Sequence, residues 1–110
     1  MSSLPQATHR ILQTPFGEAI GAAYAWNGGQ YCAIHTASGV VGCGIYDIAC
    51  ANKFGMAFAI ARGTPDHPLR EPEDLYAARL VAVSDAAAQM GIQVGMTGMD
   101  ALQRMLTQNR

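Results

Sequence analysis

Residues 40–47 read VVGCGIYD, placing the thiol of Cys43 between two glycines and the carboxylate of Asp47 four positions later. A cysteine near the start of a helix loses its proton more easily and then serves as a nucleophile or redox thiol. A nearby carboxylate works the other way, since a thiolate beside it is disfavoured. As a pair they suit proton transfer, with Asp47 as base and Cys43 as acid or hydrogen-bond donor. The competing reading is structural: Cys43 packs as a small hydrophobe and Asp47 caps a helix.

On a strand over 40–46, Val41, Cys43 and Ile45 share one face, and Val40, Gly42, Gly44 and Tyr46 share the other. Glycine inside a strand marks close approach by another backbone or a ligand. Gly42 and Gly44 therefore form a candidate ligand-binding surface, and the plain alternative is a helix over 73–90 pressed against them. Tyr46 can donate a hydrogen bond to a ligand, and Arg62 or Arg70 can hold an anionic or carbonyl-containing one. Cys50, three residues after Asp47, can pair with Cys43 or simply pack. His67, in the loop TPDHP, can cover a pocket.

Cys32, His35, Cys43, Asp47 and Cys50 lie near one another in sequence, but Cys32-x-x-His35 falls on an expected strand, where residues three apart face opposite ways. No CxxC or HxxxH spacing occurs, so no metal is expected. The chain has no phosphate loop, no dinucleotide fingerprint and no nucleophile–His–acid order, so no cofactor is expected either.

Elements that would position these residues follow from turn signals. RILQT (10–14), EAIGAAYAW (18–26), YCAIHTA (31–37) and VVGCGIY (40–46) read as four strands joined by PFG, NGGQ and SG. DIACANKFG (47–55) reads as a short helix capped by Asp47 and ended by Gly55. MAFAIAR (56–62) returns as a strand parallel to 40–46 through that crossover, with Ala57, Ala59 and Ala61 clearing one face. Pro72, Glu73 and Asp74 open an expected helix that carries Tyr76, Leu80, Val83, Ala87 and Met90 on one stripe and stops at Gly91. Thr97 and Asp100 form a capping box for a last helix with Met99, Leu102, Met105 and Leu106 inward. The fold class is α+β in two layers. A mostly antiparallel sheet of about five strands carries a short helix after strand 4 and two C-terminal helices packed on it.

The 110 residues make one domain (1–110), half hydrophobic and 14% charged, with a net charge of −1. So much apolar surface on a small body favours a homo-oligomer. Lys53 is the lone lysine and no basic cluster exists, which argues against nucleic-acid binding. The N-terminus lacks an apolar leader and no stretch approaches the roughly 18 apolar residues of a membrane span. Three irregularly spaced cysteines are unlike a secreted disulfide framework, so a cytoplasmic protein with reduced thiols is expected.

The order GVVGCGIYDIA, a strand ending in AR, and MGIQVGMTGMDALQRM resembles the YunC-like family, a bacterial and archaeal domain of unknown function. The likeness runs from about Ile20 to Met105. Its most specific parts are Cys43, Gly44 and Asp47, and then Gly91, Ile92, Gly95, Met96 and Gly98. The resemblance implies a small α/β fold and supports the element order, without supplying a reaction. The family's matching strand carries Gly-Arg where this chain has Ala59 and Ile60, and Arg70 matches a basic residue of the family. Two functions follow: a small-molecule enzyme or ligand-binding domain sited at Cys43 and Asp47, or a non-catalytic oligomeric module in which Cys43 is core and Asp47 a cap.

Overall fold

Short turns organise the first half of the chain. The structure, a computed structural model, describes residues 4–108; the first three residues of the leaderless N-terminus expected above lie outside them. Pro15 and Phe16 turn β1 (Gln6–Thr14) into β2 (Gly17–Trp26), and Asn27 and Gly28 turn β2 into β3 (Gly29–His35). Between β3 and β4 (Val40–Gly42), the Thr36 hydroxyl accepts the N–H groups of Ser38 and Gly39 at 3.2 and 3.0 Å and donates to the Gly39 carbonyl at 2.8 Å. A side chain satisfying the turn's own backbone fixes which residues of β3 and β4 face each other.

After β4 the chain forms α1 (Ile48–Lys53) and returns as β5 (Phe58–Ala61), parallel to β4. The other neighbours are antiparallel, and β6 (Leu80–Val83) completes a six-stranded sheet in the order β1-β2-β3-β4-β5-β6. This is the expected α+β architecture, with one more strand than anticipated.

That strand replaces a helix. Residues 73–90 do not form the long helix expected from their periodicity. Pro72–Leu75 is a 3-10 turn, Leu80–Val83 is β6, and α2 covers only Asp85–Gln89. Two features override the helical spacing. β5 would otherwise leave an open edge, and pairing with Leu80, Ala82 and Val83 closes it. Ser84, fully buried, then stops the strand: its hydroxyl donates to the Met56 carbonyl at 2.7 Å and accepts the N–H groups of Phe58 at 2.9 Å and Ala87 at 3.3 Å. It thereby caps α2 and ties it to the start of β5. α3 (Gly98–Leu106) has the expected capping box between Thr97 and Asp100, with Leu102 and Met105 buried.

The two faces of the sheet differ. On the inner face Leu12, Cys32, Ile34, Val41, Cys43, Ala59, Ala61 and Leu80 meet Leu75 of the 3-10 turn, Ala87 and Ile92, and Ala101, Leu102 and Met105 of α3. Arg10 of β1 pins the 3-10 turn from outside through a two-pronged pair with Glu73 and a 3.5 Å contact to Glu71. The pairing raises the Arg10 pKa and lowers that of Glu73. The outer face carries a run of rings: His9 on Tyr24, Tyr24 on Tyr31, Tyr31 on Tyr46 and Tyr46 on Phe58. Among the described residues no helix is long and apolar enough to cross a membrane.

Candidate functional site

β4 and β5 run parallel and side by side, so their C-terminal ends open into two loops on the same edge of the fold. In open parallel α/β sheets ligands gather beyond the carboxyl ends of the strands, and β4–β5 is the parallel pair of this sheet. Cys43 is the first residue past β4, and Arg62 the first past β5.

The register brings a second thiol to Cys43. Ile34 pairs with Val41 and Ala33 with Gly42, so the next step sets Cys32 opposite Cys43, and the Cys43 N–H bonds to the Cys32 carbonyl at 3.2 Å. Directly opposed side chains on one face are neighbours. Cys32 is fully buried and Cys43 is 8% exposed. The Cys32 thiol has one proton and two acceptors: the Glu71 carbonyl at 3.7 Å and the Cys43 sulfur.

This arrangement favours charge on Cys43. The hydrogen bond from Cys32 lowers the Cys43 pKa from 9.0 to about 6, helped by the backbone N–H groups of Ile45, Cys32 and Cys43 itself and opposed by burial. The same contact, with burial, pushes Cys32 well above the ordinary thiol range. Within the pair, the negative charge is favoured on Cys43 and the proton on Cys32.

Asp47 sits elsewhere. It is exposed, it caps α1, and its Oδ1 accepts the Ala49 N–H at 3.0 Å. Among the described residues no hydrogen bond joins it to Cys43. Cys50 is exposed on α1, and the thiol that meets Cys43 is Cys32 rather than Cys50.

The two glycines have different reasons. A Cβ on Gly42 would lie 2.5 Å from the Tyr46 ring, so what presses on this strand is Tyr46 folding back over it, not a helix from 73–90. Burial raises the Tyr46 pKa to about 12, so its hydroxyl keeps its proton. A Cβ on Gly44 would meet just the Ala61 carbonyl, at an ordinary 3.8 Å. Gly44 is exposed and leaves the backbone beside Cys43 bare.

Arg62 and Arg70 are brought together. Both line an open cleft of about 900 Å³, with His67 and Arg79 among the other lining residues. Arg79 donates to the Gly95 carbonyl at 2.8 Å, whereas the side chains of Arg62 and Arg70 make no hydrogen bond or ion pair among the described residues. Cys43 does not line the cleft. Leu69 links the two places: it lines the cleft and packs in the same buried cluster as Cys32 and Cys43. Among the described residues no group of three or more His, Cys, Asp or Glu side chains is placed to hold a metal.

Sequence reasoning missed Cys32 and Arg79 as members of this region. Cys32 was detectable in principle. Turning the chain on Ala37 and Ser38, instead of Ser38 and Gly39, moves its partner from Ile45 to Cys43. For Arg79 the sequence carried no signal.

Comparison with known proteins adds a family and a fold. A family model described as a domain of unknown function (DUF1805) matches residues 42–105, more than half of the chain. No curated protein matches. A crystal structure of a protein of unknown function from Thermoplasma acidophilum superposes with a TM-score of 0.81 at 16% sequence identity, covering 92% of this chain and 94% of that one.

Proposed function

The chain belongs to the DUF1805 family, whose description assigns no reaction, and from its site we propose a small-molecule enzyme in which the Cys43 thiolate attacks the carbonyl carbon of a small anionic substrate. The observation that carries this reading is the placement of Cys32 opposite Cys43, whose hydrogen bond lowers the Cys43 pKa and favours the thiolate. A tuned thiolate is the condition for nucleophilic cysteine chemistry, and a buried core cysteine has no need of it.

In the attack an S–C bond forms and the carbonyl π pair moves to oxygen, giving an anionic tetrahedral centre. Cys32 keeps its proton and serves as a hydrogen-bond donor on the sulfur. Arg62 and Arg70, whose side chains have no ion-pair partner among the described residues, supply the positive charge that gathers and orients an anion. Asp47 holds the corner by capping α1, and Gly44 leaves the approach clear.

Anionic and neutral alkylating reagents test the reading. Iodoacetate and iodoacetamide attack the same sulfur and differ in charge. Replacing both Arg62 and Arg70 with Gln is expected to slow iodoacetate at Cys43 by about tenfold while leaving iodoacetamide within about twofold. Equal effects on both reagents, or slow and equal labelling of all three cysteines, would remove the enzyme reading. The second reading, an oligomeric binding module without chemistry, is favoured by one observation: Cys43 is largely buried. For a second copy of the chain, the outer face of the β1–β2 ribbon offers Ile11 at 64% and Ile20 at 50% exposure.

A further inference from the structure

We infer that Cys32 and Cys43 form a two-cysteine redox centre, in which a hydroperoxide oxidises Cys43 and Cys32 then closes a disulfide across β3 and β4. This shares with the proposed function the reactive sulfur of Cys43. It requires neither the arginine cleft nor a carbonyl substrate.

Geometry supports it first. Opposed residues that share a backbone hydrogen bond in an antiparallel pair have Cα atoms about 5.5 Å apart. That falls inside the roughly 4.4–6.8 Å range of Cα separations that disulfides span. The Cys43 N–H to Cys32 carbonyl bond places this pair in that class, and both side chains enter the same buried cluster. Cys50, exposed on α1, is not part of that cluster.

Burial sets the order of events. Cys32 is fully enclosed, under the Glu71 carbonyl, so a solvent oxidant meets Cys43 first, next to the bare backbone of Gly44. In the first step the Cys43 thiolate attacks the terminal oxygen of the hydroperoxide. An S–O bond forms, the O–O bond breaks, and the alkoxide or hydroxide leaves and takes a proton from water. The sulfur is oxidised by two electrons, to sulfenic acid, and the peroxide is reduced to an alcohol or water. In the second step the Cys32 sulfur attacks the Cys43 sulfur. The S–S bond forms, hydroxide leaves, and the Cys32 proton joins it as water.

Cys32 is held in reserve until then. Its strongest restraint is the contact with the charged Cys43 sulfur, and the first step removes that charge. Closure also removes the nucleophile of the proposed enzyme, so an oxidant would switch that activity off until a dithiol reductant reopens the bond.

The test is intact-protein and peptide mass spectrometry on the reduced full-length chain, treated with an equimolar amount of hydrogen peroxide. The expected product is two hydrogens lighter, with the peptides of Cys32 and Cys43 linked. Cys50→Ser is expected to behave as wild type. Cys32→Ser is expected to stop at a sulfenic acid on Cys43 that dimedone captures, and Cys43→Ser to consume peroxide at least about tenfold more slowly. Oxygen addition without a link in the wild-type chain, or a link through Cys50, would overturn the inference. If the disulfide fails to form while Cys43 still alkylates fast, this inference fails and the proposed function survives. If the disulfide forms but the iodoacetate preference is absent, the reverse holds.

Discussion

Two stretches of the chain, residues 40–47 and 91–98, do opposite kinds of work. Between Gly91 and Gly98 the residues serve the backbone. Gly91 (φ +88°) and Gly95 (φ +96°) occupy the left-handed region, and Gly91 and Ile92 return N–H groups to Ala88 and Ala87 at 2.9 and 3.2 Å, the double closure that ends α2. Gly98 lies so close to the Leu75 carbonyl that a Cβ would sit 1.9 Å from it. Each of these glycines has a steric reason that needs no ligand. At the β4 corner, Gly42 has such a reason and Asp47 has its cap, but the Cys43 thiol is left with a lowered pKa that packing does not require. A motif whose every residue is explained by geometry marks a fold, and Cys43, left over after that accounting, is where the proposed function sets its chemistry.

The contrast can be broken at either end. The largest effect belongs to the glycine segment: Gly98→Ala forces the 3-10 turn and α3 apart and is expected to cost about 3 kcal/mol or more in chemical denaturation, because backbone cannot yield as a side chain can. A cost under 1 kcal/mol would mean that the contact relaxes and the glycine has another purpose. A smaller effect is expected at the corner. Asp47→Ala loses an N-cap, worth about 1 kcal/mol of stability. The alkylation rate of Cys43 should stay within about twofold, since no hydrogen bond joins the two side chains. A tenfold change in that rate would show that Asp47 acts on the thiol, reuniting the pair as one site.

Much of the fold was legible because its signals are local. PFG and NGG turns, the Thr97–Asp100 capping box and the alanine face of β5 each act within a few residues. The parallel return of β5 followed from the crossover helix alone. Residues 73–90 misled because Tyr76, Leu80, Val83, Ala87 and Met90 keep helical spacing by coincidence, while the deciding partners, the β5 edge and the Met56 and Phe58 backbone around Ser84, are distant in sequence.

The site was half legible for the same reason. Cys43, Arg62 and Arg70 stand out by type, whereas Cys32 joins Cys43 through a register set by one hydroxyl, that of Thr36. A turn shifted by one residue changes a strand partner by two and exchanges Ile45 for Cys43. The cleft could not be read at all, since Arg62, Arg70 and Arg79 converge from separate segments.

The central claim is that Cys32 holds Cys43 as a thiolate at neutral pH. The most direct measurement is the pH dependence of iodoacetamide alkylation at Cys43 in the Cys50→Ser protein, with and without Cys32→Ala. Alkylation needs the deprotonated sulfur, so the rate should rise with pH, reach half its plateau near pH 6, and hold that plateau through neutrality. With Cys32→Ala the midpoint should move upward, because the donor that favours the charge is gone. A midpoint at or above pH 8.5 in the parent protein, or one that Cys32→Ala leaves in place, would contradict the account.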